Sequence, residues 1–197
     1  MPKGHLEAFS DGVIAIIITI MVLEMRVPHG TSLESIAPLW PVFVSYVLSF
    51  VTVGIYWNNH HHMLHAAKQV TGAVLWSNLH LLFWLSLLPF ATGFMGENHF
   101  APLPVALYGV DLLMTAVAYF ILARTLLMSH GRDSDFAARI GADWKGKIPL
   151  VAYVVAIGTS FVQPWISVAI YFAVGAMWFI PDPRFERTRD ASLKNRP

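Results

Sequence analysis

Residues 73 to 95, "AVLWSNLHLLFWLSLLPFATGFM", contain no aspartate, glutamate, lysine or arginine. A helix crosses the bilayer core in about 20 mostly apolar residues, and only helices and closed barrels satisfy every backbone group there. Residues 39 to 57 form a second charge-free run, and residues 101 to 123 a third, interrupted only by Asp111. From Ile148 to Ile180 no charge occurs, and Gln163-Pro164 divides that run because proline breaks a helix. The two pieces, at about 16 residues or roughly 24 Å each, are short spans.

Composition agrees. Charged residues make up 13% of the 197, against 56% hydrophobic, where soluble domains carry about 25% charged. Too little polar surface exists to cover a soluble globule. The net charge of +1 gives no reason to expect a nucleic acid partner, and the absence of cysteine excludes disulfides and thiolate chemistry.

The first apolar run, Gly12 to Leu23, reaches spanning length only if "AFSD" before it lies in the membrane zone. It is not a secretory signal, because Glu24, Met25 and Arg26 stand where a small-residue cleavage site belongs. The expectation is an all-α integral membrane protein with one domain of six helices, over residues 6–27, 37–64, 73–95, 101–129, 147–163 and 165–181, and a basic cytoplasmic tail at 182–197. Six spans put both termini on the side holding Lys3, Lys68, Arg124, Arg132, Arg139, Lys145, Lys147 and the tail cations, with Arg26 alone opposite. By the bias of lysine and arginine that side is cytoplasmic, which points to the cell membrane.

At 100° per residue, Phe9, Gly12, Thr19, Ile20 and Leu23 fall within about 60° of Ile16. Ser10 and Asp11 lie about 120° and 140° to either side. One face is thus apolar with a single hydroxyl, and the polar pair looks elsewhere, toward partners on neighbouring helices, since a buried acid needs one. Capping of a helix start is the plainer reading of Ser10 and Asp11, but a helix beginning after Asp11 is too short to span.

"YWNNHHHMLH" at 56 to 65 is the densest polar cluster. His61 and His65, spaced i, i+4, suit a metal on one helical face, but without cysteine or a neighbouring acid an interface segment is favoured, with histidines bonding Ser10 and Asp11. His80, Asn78 and Asp111 are intramembrane polar groups, either functional or bonded between helices. No G-x-S-x-G, H-E-x-x-H or phosphate-binding loop occurs, and no enzyme is expected.

"LEAFSDGVIAI" at 6 to 16 resembles the first helix of the transmembrane protein 175 family, lysosomal and bacterial potassium channels with an FSD motif. The likeness continues through "YWNNHH" at 56 to 61, "SNLHLLFWLSLLPFATG" at 77 to 93 and "LYGV" at 107 to 110. It implies a channel without a re-entrant selectivity filter, modestly selective for potassium over sodium, whose first helix lines the pore. Ile16 takes the family's constriction position, Ile20 and Leu23 continue the lining, and Thr19 supplies a hydroxyl. The resemblance also implies a homotetramer in lipid, with monovalent cations as permeant partners, potassium above all, and no cofactor. Ser10, Asp11, His5, Trp57, Asn59, His60, His61 and Asn78 form the expected tethering network. His5 and His62 stand where family members often carry arginine. Two rivals are a proton- or cation-coupled transporter built on Asp111, His80 and the Pro164 break, and a metal-handling protein built on His60, His61, His62 and His65.

Overall fold

The computed structural model describes residues 3–67, 69–130 and 147–179. Lys68, the connection at 131–146 and the basic tail expected at 182–197 lie outside the described residues. Among the described residues seven α-helices follow in order: α1 (Lys3–Leu23), the one-turn α2 (Leu33–Ile36), α3 (Trp40–Ala66), α4 (Gly72–Glu97), α5 (Pro102–His130), α6 (Lys147–Ser160) and α7 (Pro164–Phe179). A 3-10 turn, Ala37–Leu39, joins α2 to α3. Helices α1, α4 and α5, and the continuous path from α2 through α3, are long and apolar enough to cross a membrane.

Several helix ends differ from those expected by a few residues. α1 begins at Lys3, whose Nζ donates to the His65 carbonyl at 2.6 Å and so ties the helix start to the end of α3. It ends at Leu23 rather than residue 27, and beyond it Arg26 pairs with Glu97 at the end of α4 at 3.5 Å. The turn between α6 and α7 occupies residues 161 to 163, with the Val162 and Gln163 amides both donating to the Thr159 carbonyl. Pro164 opens α7, a place where its missing N–H costs nothing. Ser167 Oγ donates to the Ala156 carbonyl at 2.7 Å and lies 3.0 Å from Thr159 Oγ1, fastening the hairpin.

α4 is the central element: α1, α3 and α5 all pack on it, while α6 and α7 close over α5 and α7 reaches α3. Pro89 lies inside α4 without ending it. Close packing relies on small residues, as expected where lipid gives helices no hydrophobic reason to associate. A β-carbon on Gly96 of α4 would come within 2.8 Å of the Val42 backbone of α3. One on Gly109 of α5 would run into the Tyr171 hydroxyl of α7, which donates to the Val105 carbonyl at 3.0 Å.

The α4–α5 turn is tight. His99 and Phe100 both adopt left-handed backbone, at φ 52° and 56°, a conformation that costs L-residues of this kind about 1 kcal/mol or more each. The offsetting contact is Phe100 itself, buried with its ring 4.8 Å from Trp165 of α7 and 5.8 Å from Trp40 of α3. Three elements are thereby joined at one end of the bundle.

Gly109→Ala should lose about 1–3 kcal/mol through overpacking, whereas Gly158→Ala, with open space around the added carbon, should be neutral or slightly stabilising. Thermal unfolding of the purified variants in detergent checks the contrast, and equal midpoints would refute this account of the α5–α7 contact.

Candidate functional site: the first helix and its polar anchor

Leu6, Ser10, Ile14, Ile17 and Met21 recur along α1 at three- and four-residue steps and are all buried, against α3 and α4. On the other side, Phe9, Ile16, Ile20 and Leu23 are exposed, Ile16 by 58% and Leu23 by 79%. Gly12 and Thr19 share that exposed side. The Thr19 hydroxyl gives its proton to the Ile16 carbonyl at 2.9 Å, so its outward capacity is that of an acceptor.

The buried face carries one polar group, and it is fully used. Ser10 Oγ donates to the Leu6 carbonyl at 2.8 Å and accepts from Asn78 Nδ2 at 2.9 Å. With its amide nitrogen spent on Ser10, Asn78 presents Oδ1 to His60 Nε2 at 2.7 Å. That oxygen can only accept, so His60 Nε2 carries the proton. Ser10, Asn78 and His60 are all buried, and they bind α1, α4 and α3 through two hydrogen bonds in series. Beside them Trp57 Nε1 of α3 donates to Asp11 Oδ1 at 3.0 Å.

Of the residues expected in this network, the structure thus brings Ser10, Asp11, Trp57, His60 and Asn78 together. Asn59 turns its amide to the Ile55 carbonyl of its own helix at 2.8 Å. His5 is exposed on α1. His61 is exposed too, its ring stacked between Trp57 at 5.9 Å and His65 at 6.1 Å. His62 and His65 are likewise exposed. Among the described residues no group of three or more His, Cys, Asp or Glu side chains is placed to hold a metal ion. The reason is geometric: His60 points into the bundle while its neighbours point out.

His80 and Asp111 do not meet. His80 Nε2 accepts from Trp84 Nε1, one turn along α4, at 3.0 Å. Asp111 is buried on α5, and neither of its carboxylate oxygens has a hydrogen-bond partner among the described residues.

A second polar link escaped the sequence reading. Thr92 Oγ1 donates to the Leu88 carbonyl at 2.6 Å, so Ser49 donates to Thr92 at 2.7 Å and Tyr108 in turn donates to Ser49 at 3.0 Å. This joins α4, α3 and α5 in the apolar interior. Its signal in the sequence is the row Ser45, Ser49, Thr52, which shares one face of α3 at i, i+4, i+7.

An all-helical bundle with a peripheral first helix, anchored by polar groups on one side and bare on the other, defines a multi-pass membrane protein. Residues 5–89 match the family model described as "Endosomal/lysosomal potassium channel TMEM175". A potassium channel of Chryseobacterium sp. (strain P1-3) is 52% identical over 188 residues, covering 95% of this chain and 98% of that one. The crystal structure described as a lysosomal potassium-selective channel TMEM175 homolog from Chamaesiphon minutus superimposes with a TM-score of 0.78 at 27% identity, covering 90% of this chain and 96% of that one. The endosomal/lysosomal proton channel TMEM175 of Gallus gallus is 33% identical over 150 residues, covering 68% of this chain but 30% of its own length. The protein belongs to the TMEM175 family.

Asn78→Ala should be the most damaging truncation at the anchor. It strips Ser10 of its donor and leaves a buried His60 N–H unpaired, at about 1–3 kcal/mol for the orphaned group. His61→Ala, on the exposed side, should stay within about 0.5 kcal/mol of the parent. Thermal unfolding in detergent distinguishes them, and an Asn78→Ala midpoint equal to that of His61→Ala would remove the anchor role.

Proposed function

We propose that the protein is a potassium-selective cation leak channel, a homotetramer whose central pore is formed by four copies of α1. The observation that carries this reading is the bare face of α1. Its Ile16 is 58% exposed at mid-helix, with Ile20 and Leu23 exposed beside it, while the opposite face is fixed by hydrogen bonds to α3 and α4. A face held at one orientation and free of charge, with Gly12, Thr19 and branched aliphatic side chains beyond Phe9, suits self-association around an axis. The 21 residues of α1 give a helix of about 32 Å, enough for a bilayer core of about 30 Å. The relatives that match along nearly their whole length are named potassium channels, which supports the same ion here.

In this mechanism four Ile16 side chains form an apolar neck, continued by Ile20 and Leu23. Such a neck gates by dewetting: narrow, it excludes water and ions, and widened, it hydrates and conducts. No charged ring lines the face, so discrimination rests on pore width, partial dehydration and the Thr19 oxygens. Potassium loses its hydration shell more readily than sodium, so the preference is for potassium but modest. The anchor residues Ser10, Asp11, Trp57, His60 and Asn78 hold each pore helix at its angle. The termini lie in the cytoplasm, by the distribution of lysine and arginine.

The test is potassium flux into liposomes carrying the purified protein, driven by a potassium gradient. Ile16→Asn should raise the flux several-fold and reduce the preference over sodium, because an amide in the neck lowers the cost of wetting it. Flux unchanged by the substitution would reject Ile16 as the constriction. Flux strictly coupled to a proton or sodium gradient would replace the channel by a transporter.

A further inference from the structure

Asp111 and Thr115 stand one turn apart on α5 and so share one side of that helix. They are 5% and 1% exposed, and all three of their side-chain oxygens are without a hydrogen-bond partner among the described residues. The other buried serines and threonines among the described residues behave differently. Ser10, Ser45, Thr52, Thr92 and Ser160 each donate to a carbonyl one turn back, and Ser49 and Ser167 bond across helices. Thr115 has the same option in the Asp111 carbonyl and does not take it. Its hydroxyl is therefore not consumed by its own helix, nor by the carboxylate beside it.

We propose that Asp111 and Thr115 form a binding site for one monovalent alkali cation, inside each protomer and separate from the α1 face. A carboxylate in a membrane interior requires a compensating charge or a proton. The two ion pairs found among the described residues, Lys3–Glu7 and Arg26–Glu97, involve other groups. Among the described residues, Tyr108 on α5 and Tyr56 on α3 interact electrostatically with Asp111, the latter lying beside Tyr119 and Tyr153. These are hydroxyl-bearing groups and bring no positive charge at neutral pH.

A proton on Asp111 cancels the charge but adds an O–H that itself needs an acceptor, and it leaves the Thr115 oxygen idle. A cation engages the carboxylate and the hydroxyl together, and hard oxygen donors suit an alkali ion. A single acid matches a single positive charge in a low-dielectric setting, which disfavours a divalent ion. The inference does not depend on the α1 pore.

The experiment is thermal unfolding of the full-length protein in detergent at neutral pH and fixed ionic strength, with potassium or sodium chloride replacing N-methyl-D-glucamine chloride. The parent should gain about 5 °C in Tm at a cation concentration near a hundred times Kd. Asp111→Asn should abolish that gain, and Thr115→Val should raise the half-saturating cation concentration about tenfold, the loss of one ligand. Thr19→Val, on the exposed face of α1, should keep the full gain, which separates this site from any ion held in the pore. A parent insensitive to the alkali ions would overturn the proposal, and would leave Asp111 as a neutral acid if Asp111→Asn is then as stable in every salt. A gain that survives Asp111→Asn would overturn it as well. Should Asp111→Asn fail to fold, an unshifted titration in Thr115→Val would do the same.

Discussion

The hydrogen bonds from His60 to Asn78 and from Asn78 to Ser10 decide how α1 sits on the rest of the protein. In lipid, apolar contact alone does not choose which side of an apolar helix turns inward, since hydrocarbon tails are as apolar as leucine. Leu6, Ile14, Ile17 and Met21 on one face of α1 and Ile16, Ile20 and Leu23 on the other would pack almost equally well. The polar series breaks the tie. Ser10 has a donor waiting for it in only one rotation of the helix, and Trp57 meets Asp11 in that same rotation. The exposed face is exposed because its opposite is hydrogen bonded.

The same logic runs through the other spans. Ser49 between Thr92 and Tyr108 registers α3 on α4 and α5, and Tyr171 registers α7 on α5 through the Val105 carbonyl. Each device places one or two polar atoms where glycine or alanine lets backbones approach, as at Gly96 and Gly109. The aromatic group of Trp40, Phe100 and Trp165 adds a clasp at one end. Helix orientation is thus set by a few short contacts rather than by the apolar surface that makes up most of each helix.

Much of this was legible in the residues. Charge-free runs of spanning length marked α3, α4 and α5, and Pro164 marked the α6–α7 division, because those signals depend on composition and backbone chemistry alone. The inward and outward faces of α1 followed from angular bookkeeping, since a helix fixes side-chain directions. Partner choice was less legible. Asn59 and Asn78 are chemically identical, and only the packing of α3 on α4 directs one to its own backbone and the other to Ser10 and His60. His60 and His61 are adjacent, yet 100° of helical turn sends one into the bundle and the other out of it. The link through Ser49 passed unread because hydroxyls in membrane helices usually bond their own backbone, and nothing local distinguishes the exception.

Ser10 and Asp111 show how the surroundings set the consequence of a polar group in an apolar helix. Ser10 is neutral, and one donor and one acceptor complete it, so it orients a helix and asks nothing of the solvent. Asp111 is an acid whose charge, when ionised, neutral partners cannot cancel, and its two oxygens lie without partners among the described residues, beside an equally unengaged Thr115. Such a group is completed either by a proton or by a bound cation. The potential ligand is the ion that a channel of this family would meet continuously, whereas the site lies on α5, away from the helix proposed to conduct it. Stability drawn from the permeant ion would then be a property of the protomer rather than of the pore, and it would persist in variants whose conduction is lost.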